Sequence, residues 1–500
     1  MKIFSFLTTL LIPGLLSAGE TTINLDRLPL LFVDDSGVFS QENLERRFHE
    51  ATTDASAVLE PETEWEGNRV YIYGSVMRDP EGGFRMWYLG RPQPETVVAD
   101  NLNRVEGLGM VEGLRNHGFD LVLYATSPDG RKWTRPDQEL YSYNSSRANN
   151  IVFDLHSPSI LLDESDPDPG RRYKMVGAFD GNYYAAVSPD GIHWRNEREE
   201  PILEHSDTIS LAQDPSTNEY LAFHKRYTNV RGYSRRVVWL SRSRDFESWI
   251  EPKLALAPDE IDDAWVTRLP ERTEIYNLSV YPHAGGYLGF PTIFRLKKQL
   301  DRKDVLPGQS PVDGPIDVQL ATSRDGLAWH RPYPRTIMIP RGLPGTFDAG
   351  AILGVATAPL NVEDETWLYY TAITTGHGGP LPAKRIAIGR AVWRRDGFGS
   401  LNAGPVGGKL ETSPLHVEGG VIVVNADASR GELRVAVLEE NGTPIEGMAA
   451  RDCDPLRADD LRWKPSWGEK TKVPSDRPIR VVIEMASTRL FSLSSGNRVD

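Results

Sequence analysis

The sequence predicts an all-β chain, a five-bladed β-propeller followed by a C-terminal β-sandwich. Three observations carry this: a ten-residue box that recurs at long intervals, a strand-like run ahead of each box, and a Gly-rich break before a tail of short strands. The box runs Ser127-Pro128-Asp129-Gly130 to Trp133 and Pro136, then Ser188-Pro189-Asp190-Gly191 to Trp194. It returns as Ser243-Arg244-Asp245 to Trp249 and Pro252, and as Ser323-Arg324-Asp325-Gly326 to Trp329 and Pro332, with a fainter copy at Asp396-Gly397-Phe398. The aspartates are 61, 55, 80 and 71 residues apart. A unit of that size, repeated, implies small sheets that bury their faces only by packing around a shared axis.

Each element follows in order. The runs Phe84 to Tyr88, Tyr173 to Val176, Tyr220 to Phe223, Tyr287 to Phe290 and Trp367 to Tyr370 are rich in aromatic and branched residues. Each follows turn residues: Asp79-Pro80-Glu81-Gly82-Gly83, Asp168-Pro169-Gly170, Asp214-Pro215-Ser216, Ala284-Gly285-Gly286 and Glu363-Asp364-Glu365. An earlier apolar run precedes the turn, and a third leads into the box. Each unit is therefore strand, tight turn, strand, connection, strand, box, Trp strand. The box itself reads as structural: Asp-Gly suits a turn and the Trp packs between blades. Met77-Arg78-Asp79-Pro80 and Asp163 to Asp168, which superficially suggest a catalytic triplet and a calcium loop, fall in hairpin-turn positions.

The expected domains are a signal peptide at 1–18, a lead-in segment at 19–65, the propeller at 66–398 and the sandwich at 399–500. Lys2, the apolar Ile3 to Leu16 and the small-residue site before Gly19 form the signal, so the chain is expected to be secreted or periplasmic, with no membrane attachment after cleavage. The lead-in is expected to hold a helix over Gln41 to Glu50. The net charge of −14 with no long basic run argues against a nucleic-acid partner. The single cysteine, Cys453, excludes an internal disulfide. The 12 Trp and 18 Tyr suit strands and can also stack on sugar rings; the partner expected from the glycosidase reading below is a carbohydrate substrate.

In a propeller the loops entering the innermost strands converge on one pocket. At that register stand Glu62, Glu64, Glu66, Arg69 and Tyr71 in unit one, and Asp154 and His156 in unit two. Units three and four offer His205 and Asp207, then Glu274, Tyr276 and Asn277. Unit five offers Asp348, with His377 in a following loop. Carboxyl groups gathered in one cleft separate in pKa, which supplies the donor and the base that glycosidic cleavage needs. The expected catalytic set is Glu274 as general acid, Asp154 as base or nucleophile, and Asp348 or Asp207 as the group that orients or tunes them. The expected substrate-binding set is Glu66, Arg69, Tyr71, His156, Tyr276, Asn277 and His377. No metal site and no cofactor are expected, a structural calcium being left open.

With its boxes, its five units and its trailing sandwich, the chain resembles the five-bladed propeller glycoside hydrolases of the family 32, 43 and 68 grouping, over roughly residues 60–500. The resemblance implies a glycosidase whose acids come from the entry loops, here Asp154, Asp207, Glu274 and Asp348. The invertase-type Asn-Asp-Pro-Asn-Gly motif of the first blade is absent, and so is a Glu-Cys-Pro acid motif. A non-catalytic glycan-binding propeller and a glycoside phosphorylase on the same fold are the alternatives.

Overall fold

The computed structural model describes residues 22–92, 111, 114, 120–306, 309–496 and 498. The expected signal segment at 1–18 lies outside the described residues. The described chain is almost entirely strand and turn, with four short 3₁₀ segments. Among the described residues no helix is long and apolar enough to cross a membrane.

Five antiparallel sheets, here I to V, form a ring. Their innermost strands are Val70–Arg78, His156–Leu162, Ile209–Gln213, Arg272–His283 and Ala351–Val355. Each packs on the next, and Ala351–Val355 packs back on Val70–Arg78, so the circuit closes. All five aromatic runs picked out in the sequence form the second strand of their sheets. These strands are buried on both faces, which explains their continuous apolar character.

Hydroxyls tie the inner strands together near the axis. Ser75 Oγ lies 2.6 Å from Ile160 O and 2.8 Å from Thr357 Oγ1. Ser159 Oγ lies 2.8 Å from the same Thr357 Oγ1 and accepts from Leu211 N at 2.9 Å. Sheets I, II, III and V thus meet through three small polar side chains where inner strands lack a shared ladder.

The box repeats one set of bonds four times. Ser188 Oγ accepts from Gly191 N at 2.9 Å, while the Asp190 carboxylate accepts from Ile192 N and His193 N, both at 2.9 Å. The boxes at Ser127, Ser243 and Ser323 reproduce this. The position after Asp is left-handed, φ 68° to 82° for Gly130, Gly191 and Gly326, and φ 67° for Phe246. Each box seats against another sheet of the ring. Trp87 Nε1 donates to Gly191 O at 2.6 Å, and the Tyr369 hydroxyl donates to Gly130 O at 2.8 Å. In the fifth copy Asp396 instead binds Arg498 of the tail at 2.6 Å.

The lead-in segment differs from expectation. Gln41 to Glu50 is not a helix: Val38–Glu42 and Leu44–Phe48 are strands joined at Asn43, whose φ is 52°. The first pairs with Gly408–Thr412 and the second with Gly399–Ala403, in different sheets. Asn43 is therefore a corner between two sheets, a conformation that Asn tolerates better than most residues. Leu44, Arg46 and Phe48 alternate with exposed Glu45 and Arg47, a period of two. Ile23, Leu25, Leu30 and Phe32 join Leu401, Leu410, Val435 and Ile483 in the core between the two tail sheets. Farther on, Thr52–Thr53 pairs with Ala391 and Val392 as the outermost strand of sheet V. The ring's last sheet is thus completed by chain that precedes its first.

Candidate functional site

A cavity of about 1020 Å³ opens where the innermost strands begin. Because the sheets are antiparallel, the ends of second strands and the starts of third strands reach the same place. Arg69, Tyr71 and Tyr73 come from the start of sheet I, with Arg91 and Asp120 from the flanks of its second and third strands. His156 and the Asp180-Gly181 turn come from sheet II. Asp207, Tyr227 and Arg236 come from sheet III, Arg272 and Tyr276 from sheet IV, and His377 and Lys384 from the loop of sheet V.

Of the residues expected from sequence, Asp207, Arg69, Tyr71, His156, Tyr276 and His377 line the cavity. Glu274, Asp154, Asp348, Glu66 and Asn277 do not. Glu274 is fully buried, with both carboxylate oxygens occupied: Arg272 Nε donates at 2.7 Å and Arg236 pairs with the other oxygen. Asp348 accepts from Thr346 Oγ1 at 2.7 Å and from the Tyr370 hydroxyl at 2.9 Å. Glu66 accepts from Tyr88 at 2.6 Å, from Arg135 at 2.7 Å and from the amides of Glu62 and Thr63, which makes it a knot at the base of sheet I. Asp154 is buried just ahead of the inner strand of sheet II, and Asn277 is buried within that of sheet IV. The Trp65 indole donates to Asn150 at 2.6 Å and is not part of the cavity wall.

Two carboxylates face the cavity under tight control. Asp120 lies 2.6 Å from Arg91 Nε and 3.7 Å from His156 Nδ1. Burial works to raise its pKa, but Arg91 and then His156 outweigh it and hold it well below the usual carboxylate range. Asp207 is ion-paired with Lys225. Enclosure again opposes its charge, and Lys225 and His156 override that, so this carboxyl is also held ionised.

Aromatic rings complete the wall. Tyr71 and Tyr73 stack with centroids 5.8 Å apart and planes at 10°, and His156 lies 5.8 Å from Tyr73. Lys225 Nζ sits 4.5 Å from the Tyr276 ring centre, and the Arg236 guanidinium 5.3 Å from the same ring. Among the described residues no cluster of three His, Cys, Asp or Glu side chains could hold a metal ion. The cavity thus combines aromatic wall, fixed charge of both signs, and a histidine 3.7 Å from an ionised acid.

No family model and no curated relative matches the chain. Among solved structures it is similar to a glycosyl hydrolase from Bacteroides ovatus, 13% identical with a TM-score of 0.41 over 70% of this chain and 94% of that one. It is also similar to the β-1,2-mannobiose phosphorylase of Listeria innocua, 14% identical with a TM-score of 0.42 over 71% and 97%. A family 32 β-fructofuranosidase of Bombyx mori is 11% identical with a TM-score of 0.36 over 86% and 94%. At these scores the likeness is one of chain trace, and what the cavity does follows from its own residues.

Proposed function

We propose that the protein is a carbohydrate-active enzyme that cleaves a glycosidic bond in this cavity, with Asp207, His156 and Asp120 as its working groups. The observation that supports this is one cavity lined by two carboxylates held ionised, Asp120 and Asp207, together with His156 and the stacked Tyr71 and Tyr73. Asp207, facing the cavity, takes the proton of an attacking water, or attacks the anomeric carbon itself to form a glycosyl ester that water then hydrolyses. The C–O bond to the leaving sugar breaks, and the departing oxygen needs a proton. His156, in the cavity wall 3.7 Å from Asp120 and 3.4 Å from Arg91 Nη2, is our candidate to give it. Tyr227, the exposed aromatic ring of the cavity wall, is our candidate platform for the sugar. This assigns the donor role to His156, because Glu274 has both oxygens bound to arginine.

A panel of plant and algal oligosaccharides, incubated with wild type and with Asp207→Asn, His156→Gln and Glu274→Gln, tests the reading. Release of shorter sugars by wild type, lost in the first two variants, is the expected result. A glycan that binds in the cavity and is returned intact by wild type would instead mark a non-catalytic binding propeller, which the sealed state of Glu274 and Asp348 would suit.

A further inference from the structure

One flank of the cavity gathers more positive charge than the acids beside it match. Lys225, Arg236 and Arg272 surround Asp207 and Glu274, and Arg302 stands exposed at the rim. Glu274 is sealed beneath its two arginines, leaving Asp207 as the acid of this flank that faces the cavity. His377 marks the centre of the cluster. Its ring lies 5.5 Å from Tyr276 and 5.0 Å from Phe294, with Nδ1 3.1 Å from Val312 O. Lys384 Nζ donates to the main-chain oxygen of His377 at 2.8 Å. Lys225 Nζ and the Arg236 guanidinium lie 4.5 Å and 5.3 Å from the Tyr276 ring on which His377 packs, and burial followed by the charges of Lys384, Arg236 and Lys225 holds the His377 imidazole far below its usual pKa.

The same imbalance holds for the whole cavity. Among the described residues its wall carries Arg69, Arg91, Arg236, Arg272, Arg302 and Lys384 against Asp120, Asp180 and Asp207. The protein as a whole has a net charge of −14. A local reversal of sign inside low-dielectric walls draws anions to that place. Arginine's planar fork also matches carboxylate, sulfate and phosphate oxygens.

We propose that the flank formed by Arg236, Arg272, Arg302 and Lys384 is an oxyanion subsite. The group that fills it is an acidic substituent of the glycan, as in a uronic acid or a sugar sulfate, or a free phosphate ion held beside a neutral sugar. This rests on the cavity being the glycan site proposed above.

Calorimetric titration of the full-length protein tests it, using trigalacturonate, a sulfated trisaccharide, inorganic phosphate and a neutral trisaccharide at low and moderate salt. Arg302→Gln, at the exposed rim, and Arg272→Gln are the variants, with circular dichroism as the check on folding. At least one anion is expected to bind at least tenfold more tightly than the neutral sugar, more weakly as salt rises, and at least threefold more weakly to Arg302→Gln. Binding of trigalacturonate or the sulfated sugar assigns the anion to the glycan, and binding of phosphate alone assigns it to the free ion. Equal affinity for neutral and acidic sugars with no phosphate binding, or anion binding unchanged in both variants, overturns the subsite. Anion binding without bond cleavage would leave the subsite standing and remove the catalytic reading, whereas cleavage of neutral glycans without anion binding would do the reverse.

Discussion

Asp207 and Lys225 form an ion pair whose two ends lie in different surroundings. The Lys225 side chain is 1% exposed, whereas that of Asp207 is 52% exposed and faces the cavity. The lysine is further fixed over the Tyr276 ring. A buried cation that cannot turn away holds the carboxylate in one place and one charge state.

Removing Lys225 should therefore move the acid limb of the pH–rate profile. The Asp207 pKa is depressed in the folded protein, so activity that needs its ionised form survives to low pH. In Lys225→Met that pKa rises toward the ordinary aspartate value of about 4, and the acid limb of kcat/KM should shift to higher pH. Steady-state rates between pH 3 and 7 check this. An unmoved limb would mean that Asp207 is not the group that titrates.

Glu274 should behave as a structural residue. It is fully buried and neutralises Arg236 and Arg272 together. Glu274→Gln leaves two guanidinium groups without their counter-charge, and breaking a buried pair of this kind costs about 3–5 kcal/mol. Denaturant unfolding should show that loss. Any fall in activity should track the folded fraction and leave the pH profile unchanged.

The recurrent boxes should set the acid stability of the ring. Burial works to raise the pKa of Asp190, but hydrogen bonds from His193 and Ile192 bring it down to about 2. A depressed carboxyl contributes stability above its unfolded value of about 4 and loses it as pH falls through about 2. The aspartates of the other three boxes are lowered as well, with backbone amides again bonded to the carboxylate. Thermal melts should decline between pH 4 and 2, and Asp190→Asn should flatten part of that decline. It should also cost about 1–3 kcal/mol at neutral pH through its weakened amide bonds.

Much of this architecture was legible in the sequence because turn chemistry is local. Ser, Asp and Gly at fixed spacing dictate the box, and doubly buried second strands must read as apolar runs. The lead-in was not legible. Glu42, Glu45, Arg46 and Arg47 suggest a charged helix face, yet Asn43 turns the chain left-handed and partners more than 350 residues away claim both strands. The site was legible by halves. Counting residues ahead of each inner strand found Asp207, His156 and Tyr276. It missed Arg91, Asp120 and Arg236, which reach the same mouth from the far side of the antiparallel hairpins. Arg91 directly follows the Phe84–Gly90 strand and Asp120 directly precedes Leu121–Ser127, so the signal was position relative to the second strand. That Glu274 is sealed by Arg236 could not be read, because the arginine belongs to a neighbouring sheet.

Closure of the ring gives a further test. Arg390 is buried with its guanidinium 4.2 Å from the Trp367 ring, and Asp54 binds it through two bonds of 2.9 Å. Asp54 is the residue after the strand that completes sheet V. Asp54→Ala leaves Arg390 buried without that partner and should cost about 2–3 kcal/mol, a little below a fully buried pair because Asp54 is partly exposed. Proteolysis under native conditions should then cut near residues 50–60, where wild type resists.

The most direct test of the central claim is the rate of glycan cleavage by Asp207→Asn beside Asp348→Asn, both shown to be folded by circular dichroism. Loss of about a thousandfold in kcat for the first, with the second within a few-fold of wild type, is the predicted result. Full activity in Asp207→Asn would contradict the assignment of the cavity as the place where the bond is broken.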